Sequence, residues 1–130
     1  MILVDTHVAA WLALEPLKIS PAAASLIQQT RDQQQSLAIA SISLWELAMM
    51  AQRGRIQIDL SVESFLAAIE ENFAILPLTA AVAARSMQFS RAFPSDPMDR
   101  IIAATALVEG ISLLTRDEKI RRSKEVACVW

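Results

Sequence analysis

The stretch Met1-Ile-Leu-Val-Asp-Thr-His-Val-Ala-Ala-Trp-Leu-Ala-Leu-Glu-Pro16 joins a short apolar run to an acid and then to a segment of helical periodicity. Met1–Val4 suits a strand buried on both faces, and Val8–Leu14 suits a helix packed back against it. The same unit recurs. Apolar runs at Leu37–Ala40, Phe73–Leu78, Ile111–Leu114 and Val126–Trp130 read as further strands. Helical segments over Pro21–Gln33, Ser43–Arg53, Val62–Asn72, Ala80–Ser90, Pro97–Glu109 and Glu118–Arg122 lie between them. Alternation of this kind predicts an α/β fold with about five parallel strands and helices on both faces of the sheet.

The chain of 130 residues is the size of one domain, and with no long linker, low-complexity tract or repeat it reads as a single unit over residues 1–130. A lone cysteine, Cys128, cannot close an internal disulfide and fits a reducing, cytoplasmic setting. Asp5 and Glu15 confine the first apolar run to less than a membrane span, and no basic leader precedes it. The net charge of −2 supplies no global attraction for nucleic acid, although Arg116, Lys119, Arg121, Arg122 and Lys124 gather five of the 12 Lys and Arg residues within nine positions. The hydrophobic fraction of 54% exceeds the usual range of about 45–50% and hints at surface covered by a partner.

Parallel open sheets bind ligands outside the carboxyl ends of their strands. Asp5 directly follows the first run, and Asp117 follows the fourth in Leu113-Leu-Thr-Arg-Asp117. Glu46 is expected in the first turn or so of the helix after Leu37–Ala40. Asp99 falls in the first turn of the helix that begins at Pro97, where its approach to the same edge depends on how that helix packs. Each acid also has an ordinary role. Asp5, Asp96 and Asp117 suit helix caps, Pro97 suits the first helical position, and Ser43-Leu-Trp-Glu46 fits a reciprocal capping box. Glu46, however, sits among Ile42, Trp45, Leu47, Met49 and Met50, where an unpaired carboxylate is costly.

Carboxylates converging in one cleft repel, which a hard cation such as Mg²⁺ or Mn²⁺ relieves through oxygen ligands. An acid-lined cation site suits phosphodiester hydrolysis. With one histidine and one cysteine there is no zinc set, and His7 reads as a polar loop or core residue. No CxxC, HExxH or P-loop occurs, and no histidine is placed for a serine triad. A haloacid-dehalogenase-like site lacks its second aspartate at His7, and a receiver-like site lacks its acid after Phe73–Leu78.

In Leu3-Val-Asp-Thr-His7, Ser41-Ile-Ser-Leu-Trp-Glu-Leu47 continuing to Gly54-Arg-Ile56, Asp96-Pro-Met-Asp-Arg-Ile-Ile-Ala-Ala-Thr-Ala106 and Leu113-Leu-Thr-Arg-Asp117, the chain resembles PIN-domain nucleases, specifically the toxins of VapBC-type toxin–antitoxin pairs. The likeness runs over essentially the whole chain. It implies a PIN-like parallel sheet and a metal-dependent endoribonuclease with an acidic quartet at Asp5, Glu46, Asp99 and Asp117. It also implies a hydroxyl at Thr115 supporting the last acid, a homodimer, and a small antitoxin covering the site. Asp96 is expected as a cap and supporting residue, while Arg100, Arg116, Lys119 and Arg122 are candidates for RNA phosphates. Met98 stands where many relatives carry an aromatic, and Ser95 where some carry a basic residue. The competing readings are a catalytically silent binding module and a DNA-directed nuclease.

Overall fold

The computed structural model describes residues 1–130. Five short strands form its centre: β1 (Ile2–Val4), β2 (Leu37–Ala40), β3 (Ala74–Leu76), β4 (Leu113–Leu114) and β5 (Cys128–Val129). All neighbours are parallel, in the order β3-β2-β1-β4-β5. The helices are α1 (Thr6–Leu14), α2 (Pro21–Asp32), α3 (Ser41–Gln52), α4 (Val62–Asn72), α5 (Ala80–Ser86), α6 (Pro97–Glu109) and α7 (Glu118–Ser123), with one 3₁₀ turn at Pro16–Lys18.

Successive strand residues point to opposite faces. Ile2, Val4, Leu37, Ile39 and Leu114 therefore join one buried cluster with Val8, Ile27, Leu47, Phe65 and Ile69, drawn from α1 to α4. Leu3, Ala38, Ala40 and Leu113 join the other with Val82, Ile102, Ala103 and Ile120, from α5 to α7. Burial on both sides is why β1, β2 and β4 read as unbroken apolar runs, while the edge strands β3 and β5 are half-buried. Full burial of a leucine such as Leu3, Leu47 or Leu113 contributes about 1.5–3 kcal/mol.

The chain moves outward from β1 through β2 to β3, then crosses to β4 on the other side of β1. Strand order thus reverses between β1 and β4, and the carboxyl ends of those two strands are the expected place for a site. Asp5 donates its backbone N–H to the Leu114 carbonyl at 3.0 Å across that junction.

Several boundaries differ from the sequence reading for local reasons. Helix α1 begins at Thr6, two residues early, because the Asp5 carboxylate accepts from Thr6 N–H at 2.8 Å. Helix α5 stops at Ser86 rather than Ser90, since Phe89 and Phe93 turn inward and stack at 4.1 Å. Glu125 draws the intervening Ser90 out of helix by accepting from both its N–H and its hydroxyl, at 2.9 and 2.8 Å. Those two bonds hold the Glu125 carboxyl below its usual pKa. Helix α6 ends at Gly110, whose φ of 66° is the left-handed conformation glycine adopts without strain.

The capping box is absent. Helix α3 starts at Ser41, and its N-cap, Ala40, has no side-chain acceptor to cap it. The Ser41 hydroxyl instead accepts from Leu78 N–H at 3.1 Å, and Ser43 is fully buried against α1. Glu46 consequently lies in the second helical turn. No helix is long and apolar enough to cross a membrane.

Candidate active site

Strand β1 delivers Asp5 to the carboxyl edge, where one carboxylate oxygen caps α1 and the other accepts from the Thr115 hydroxyl at 2.6 Å. Thr115 follows β4 and is fully buried. Its hydroxyl oxygen also accepts from Asp117 N–H at 3.1 Å, and the Asp117 carboxylate in turn caps α7 through Ile120 N–H at 3.0 Å. Thr115 therefore supports the carboxylate of the first acid and the backbone of the last. On the other side of Asp5, the buried Thr6 hydroxyl donates to Glu46 at 2.6 Å and shares a 2.8 Å hydrogen bond with Ser43. One network thus joins β1, α1, α3 and the β4–α7 turn.

Helix α6 leads back to the start of β4, so its N-terminus reaches the same edge. Asp99 there lines a cavity of about 430 Å³ together with Asp5 and Asp117. Asp96 lines it too, while capping α6 through Met98 N–H at 2.9 Å. Three of the four acids share this space. Glu46 does not line it and connects through Thr6.

Burial raises the pKa of Asp5, against the opposing hydrogen bonds from Thr115 and Thr6. Burial also raises that of Glu46. Asp99 is pushed up to about 7, first by burial and then by the charges of Asp5, Asp96, Asp117 and Glu46. None of these carboxylates is held in an ion pair. The two ion pairs of the chain, Lys18–Glu15 and Arg122–Glu118, lie elsewhere on the surface.

No three carboxylate, imidazole or thiol groups converge closely enough to enclose a metal by themselves. A fully protein-built cage is therefore a poor fit. An Mg²⁺-type ion, held by one or two carboxylates with waters and substrate phosphate completing its shell, does fit an all-oxygen, uncompensated donor set.

The remaining sequence candidates separate. Arg116 lines the acidic cavity. Arg100 does not: its guanidinium donates to the Pro94 and Phe93 carbonyls at 2.8 and 3.3 Å and holds the loop before α6. Lys119 is exposed on α7, and Arg122 lines a separate groove beside β5 with Arg121 and Lys124. His7 is neither in a loop nor in the core; it is exposed in the first turn of α1 and faces the acids. Cys128 is half-buried, its thiol pushed up to about 11 by that burial. Sequence reasoning missed Thr6, Ser43 and Trp11 as parts of the site. The adjacency of Thr6 to Asp5 was the one available signal.

Asp96→Ala is expected to cost about 1 kcal/mol of stability through the lost cap. Chemical denaturation measures that cost, and cleavage rates should fall far less than for Asp99→Asn. Equal catalytic loss without destabilisation would place Asp96 among the reacting groups.

A doubly wound parallel sheet with acids gathered where its strand order reverses defines an acid-centred α/β enzyme scaffold. The family model of the PIN domain matches residues 2–126, and the chain belongs to that family. It is 38% identical over 131 aligned positions to Ribonuclease VapC22 of Mycobacterium tuberculosis, covering 99% of this chain and 98% of that protein. Among solved structures, VapBC2 from Rickettsia felis bound to a promoter DNA fragment aligns with a TM-score of 0.73 at 18% identity, covering 99% and 98% of the two chains. VapBC-1 from nontypeable Haemophilus influenzae gives a TM-score of 0.73 at 19% identity, covering 99% and 97%. At those identities the structural likeness speaks to the fold.

Proposed function

We propose that this chain, one PIN domain over residues 1–130, is an endoribonuclease that cleaves RNA phosphodiester bonds as the toxin of a VapBC-type pair. The observation that carries the chemistry is the meeting of Asp5, Asp99 and Asp117 in one cavity with no ion pair to any of them. The full-length similarity to a VapC ribonuclease supports the substrate class, and the likeness to the VapBC structures supports the pairing with an antitoxin.

Asp5, Asp99 and Asp117 are the groups that would hold Mg²⁺ or Mn²⁺, with Glu46 adding negative charge from behind Thr6. Such an ion supplies activation of water and polarisation of the phosphate. Thr115 and Thr6 fix the Asp5 and Glu46 carboxylates, each with a bond of 2.6 Å, so little reorientation remains when substrate arrives. Asp99 carries no such bond, and burial with the neighbouring carboxylates pushes its pKa up to about 7. Arg116 is placed to neutralise a phosphate at the rim, and Lys119 and Arg122 lie farther along α7, where flanking phosphates would pass.

Leu17, Met87, Leu60 and Trp45 are 100%, 82%, 57% and 54% exposed, which supports surfaces covered by an antitoxin and by a second copy of the chain. A cytoplasmic location accords with an RNA substrate and with the single free thiol. The test is cleavage of single-stranded RNA with and without a chelator, for wild type and Asp5→Asn. Loss on chelation, recovery on adding Mg²⁺, and an inert Asp5→Asn are expected. Activity that survives both treatments defeats the metal reading, and tight RNA binding without any cleavage favours the silent module.

A further inference from the structure

Arg116 poses a physical puzzle. Its guanidinium lines a cavity with Asp5, Asp96, Asp99 and Asp117, yet it forms no ion pair with any of them. Five N–H donors beside several carboxylates ordinarily collapse into a bidentate pair. Here the guanidinium lies over the Trp11 indole instead, 5.6 Å from the ring centroid.

Trp11 is well held for this task. It packs against the buried cluster shared by α1 to α4 and is flanked by Trp130 at 5.9 Å and His7 at 6.3 Å, both tilted. Lys18 also stands 5.8 Å from the same ring, but its ammonium is tied to Glu15 at 2.9 Å. Arg116 is exposed and without a hydrogen-bonding protein partner, so the indole is the feature that sets its resting place.

We propose that Trp11 is a positioning residue: its indole parks the Arg116 guanidinium away from the carboxylates, leaving the acids open to a cation and the guanidinium open to an RNA phosphate. An Arg116 paired with Asp99 or Asp117 would occupy both partners and oppose substrate binding twice over. The inference rests on the ribonuclease reading above and assigns Trp11 a role in substrate binding that acts through Arg116.

A double-mutant cycle tests it with wild type, Trp11→Leu, Arg116→Ala and the double variant. Each is assayed for kcat and KM on a single-stranded RNA oligonucleotide and for affinity by fluorescence anisotropy. Arg116→Ala is expected to raise KM by roughly tenfold or more. Trp11→Leu is expected to raise it by about two- to fivefold, with a smaller change in kcat, and Trp11→Phe to restore most of the loss. The double variant should bind no worse than Arg116→Ala, because without the guanidinium the indole has nothing to position.

Losses that multiply in the double variant overturn the inference, as does a Trp11→Leu protein that matches wild type. Nuclear magnetic resonance of the wild type supplies a check that needs no variant to fold. The Arg116 side-chain protons should be shifted upfield by the indole ring, and unshifted resonances overturn the contact. A wild type that neither binds nor cuts RNA overturns the ribonuclease reading and this inference together. Cleavage with multiplying losses overturns the inference alone.

Discussion

Asp99→Asn is expected to lower RNA cleavage by more than about a hundredfold, beyond the loss typical of residues that only support a metal ligand, while making the metal-free protein more stable at neutral pH. The two effects share one cause. The Asp99 carboxyl is pushed up to about 7 by burial and by the neighbouring carboxylates. Between its unfolded value near 3.8 and that folded value, the native state binds more protons than the unfolded state. Stability from this group therefore falls as pH rises across that window, and above pH 7 the native state carries the full repulsion. The raised pKa values of Asp5 and Glu46 act with the same sign. Thermal melts of the metal-free wild type should fall from pH 5 to pH 8, with Mg²⁺ reversing part of the fall. Asp99→Asn should flatten the curve, since the asparagine removes the charge and keeps the shape. A curve unchanged by the substitution would show that Asp99 is not the group under repulsion.

Thr6→Val separates support of the acids from the acids themselves. Valine replaces the hydroxyl with a methyl of similar size, so packing in this fully buried position is preserved. Glu46 loses its 2.6 Å donor and Ser43 loses its 2.8 Å partner. Leaving such groups unpaired costs about 1–3 kcal/mol. The Thr6 bond also restrains the burial-driven rise of the Glu46 pKa, so the variant should protonate Glu46 at higher pH than wild type does. Cleavage should fall by roughly 10–100-fold, the range typical of a residue that orients a ligand. Thr6→Ser keeps the hydroxyl and should recover most of the activity. If Thr6→Val cleaves as well as wild type and melts at the same temperature, the link between Glu46 and the rest of the site is passive.

Much of the architecture was legible because it depends on local chemistry. Two-sided burial makes β1, β2 and β4 apolar runs, and acids directly after Val4 and shortly after Leu114 stand out against those runs. Strand order was not legible, since Leu37–Ala40 and Leu113–Leu114 are equally apolar and neither carries a mark of its neighbour. The arrival of Asp99 at the same cavity followed from the direction of α6, a matter of packing rather than of pattern. Two local motifs misled for instructive reasons. Ser43 and Glu46 have the spacing of a capping box, but Thr6, 37 and 40 positions away from them, takes both side chains. Arg100 sits beside Asp99 in sequence, yet the Phe93 and Pro94 carbonyls claim its guanidinium.

The order of strands also sets when the molecule can act. The contact between Thr115 and Asp5 spans 110 positions, among the most distant in the chain. During synthesis β1, β2 and β3 can pair as they emerge, but β4 must then dock beside the strand made first. Contacts of such long sequence separation form late, because loop closure precedes their reward. Asp5 therefore lacks its hydroxyl donor, and the cavity lacks Asp99 and Asp117, until β4 and the turn after it have docked beside β1. A chain stopped before Asp117 would hold only part of the acid set, so any cleavage that depends on that set would await the docking of β4.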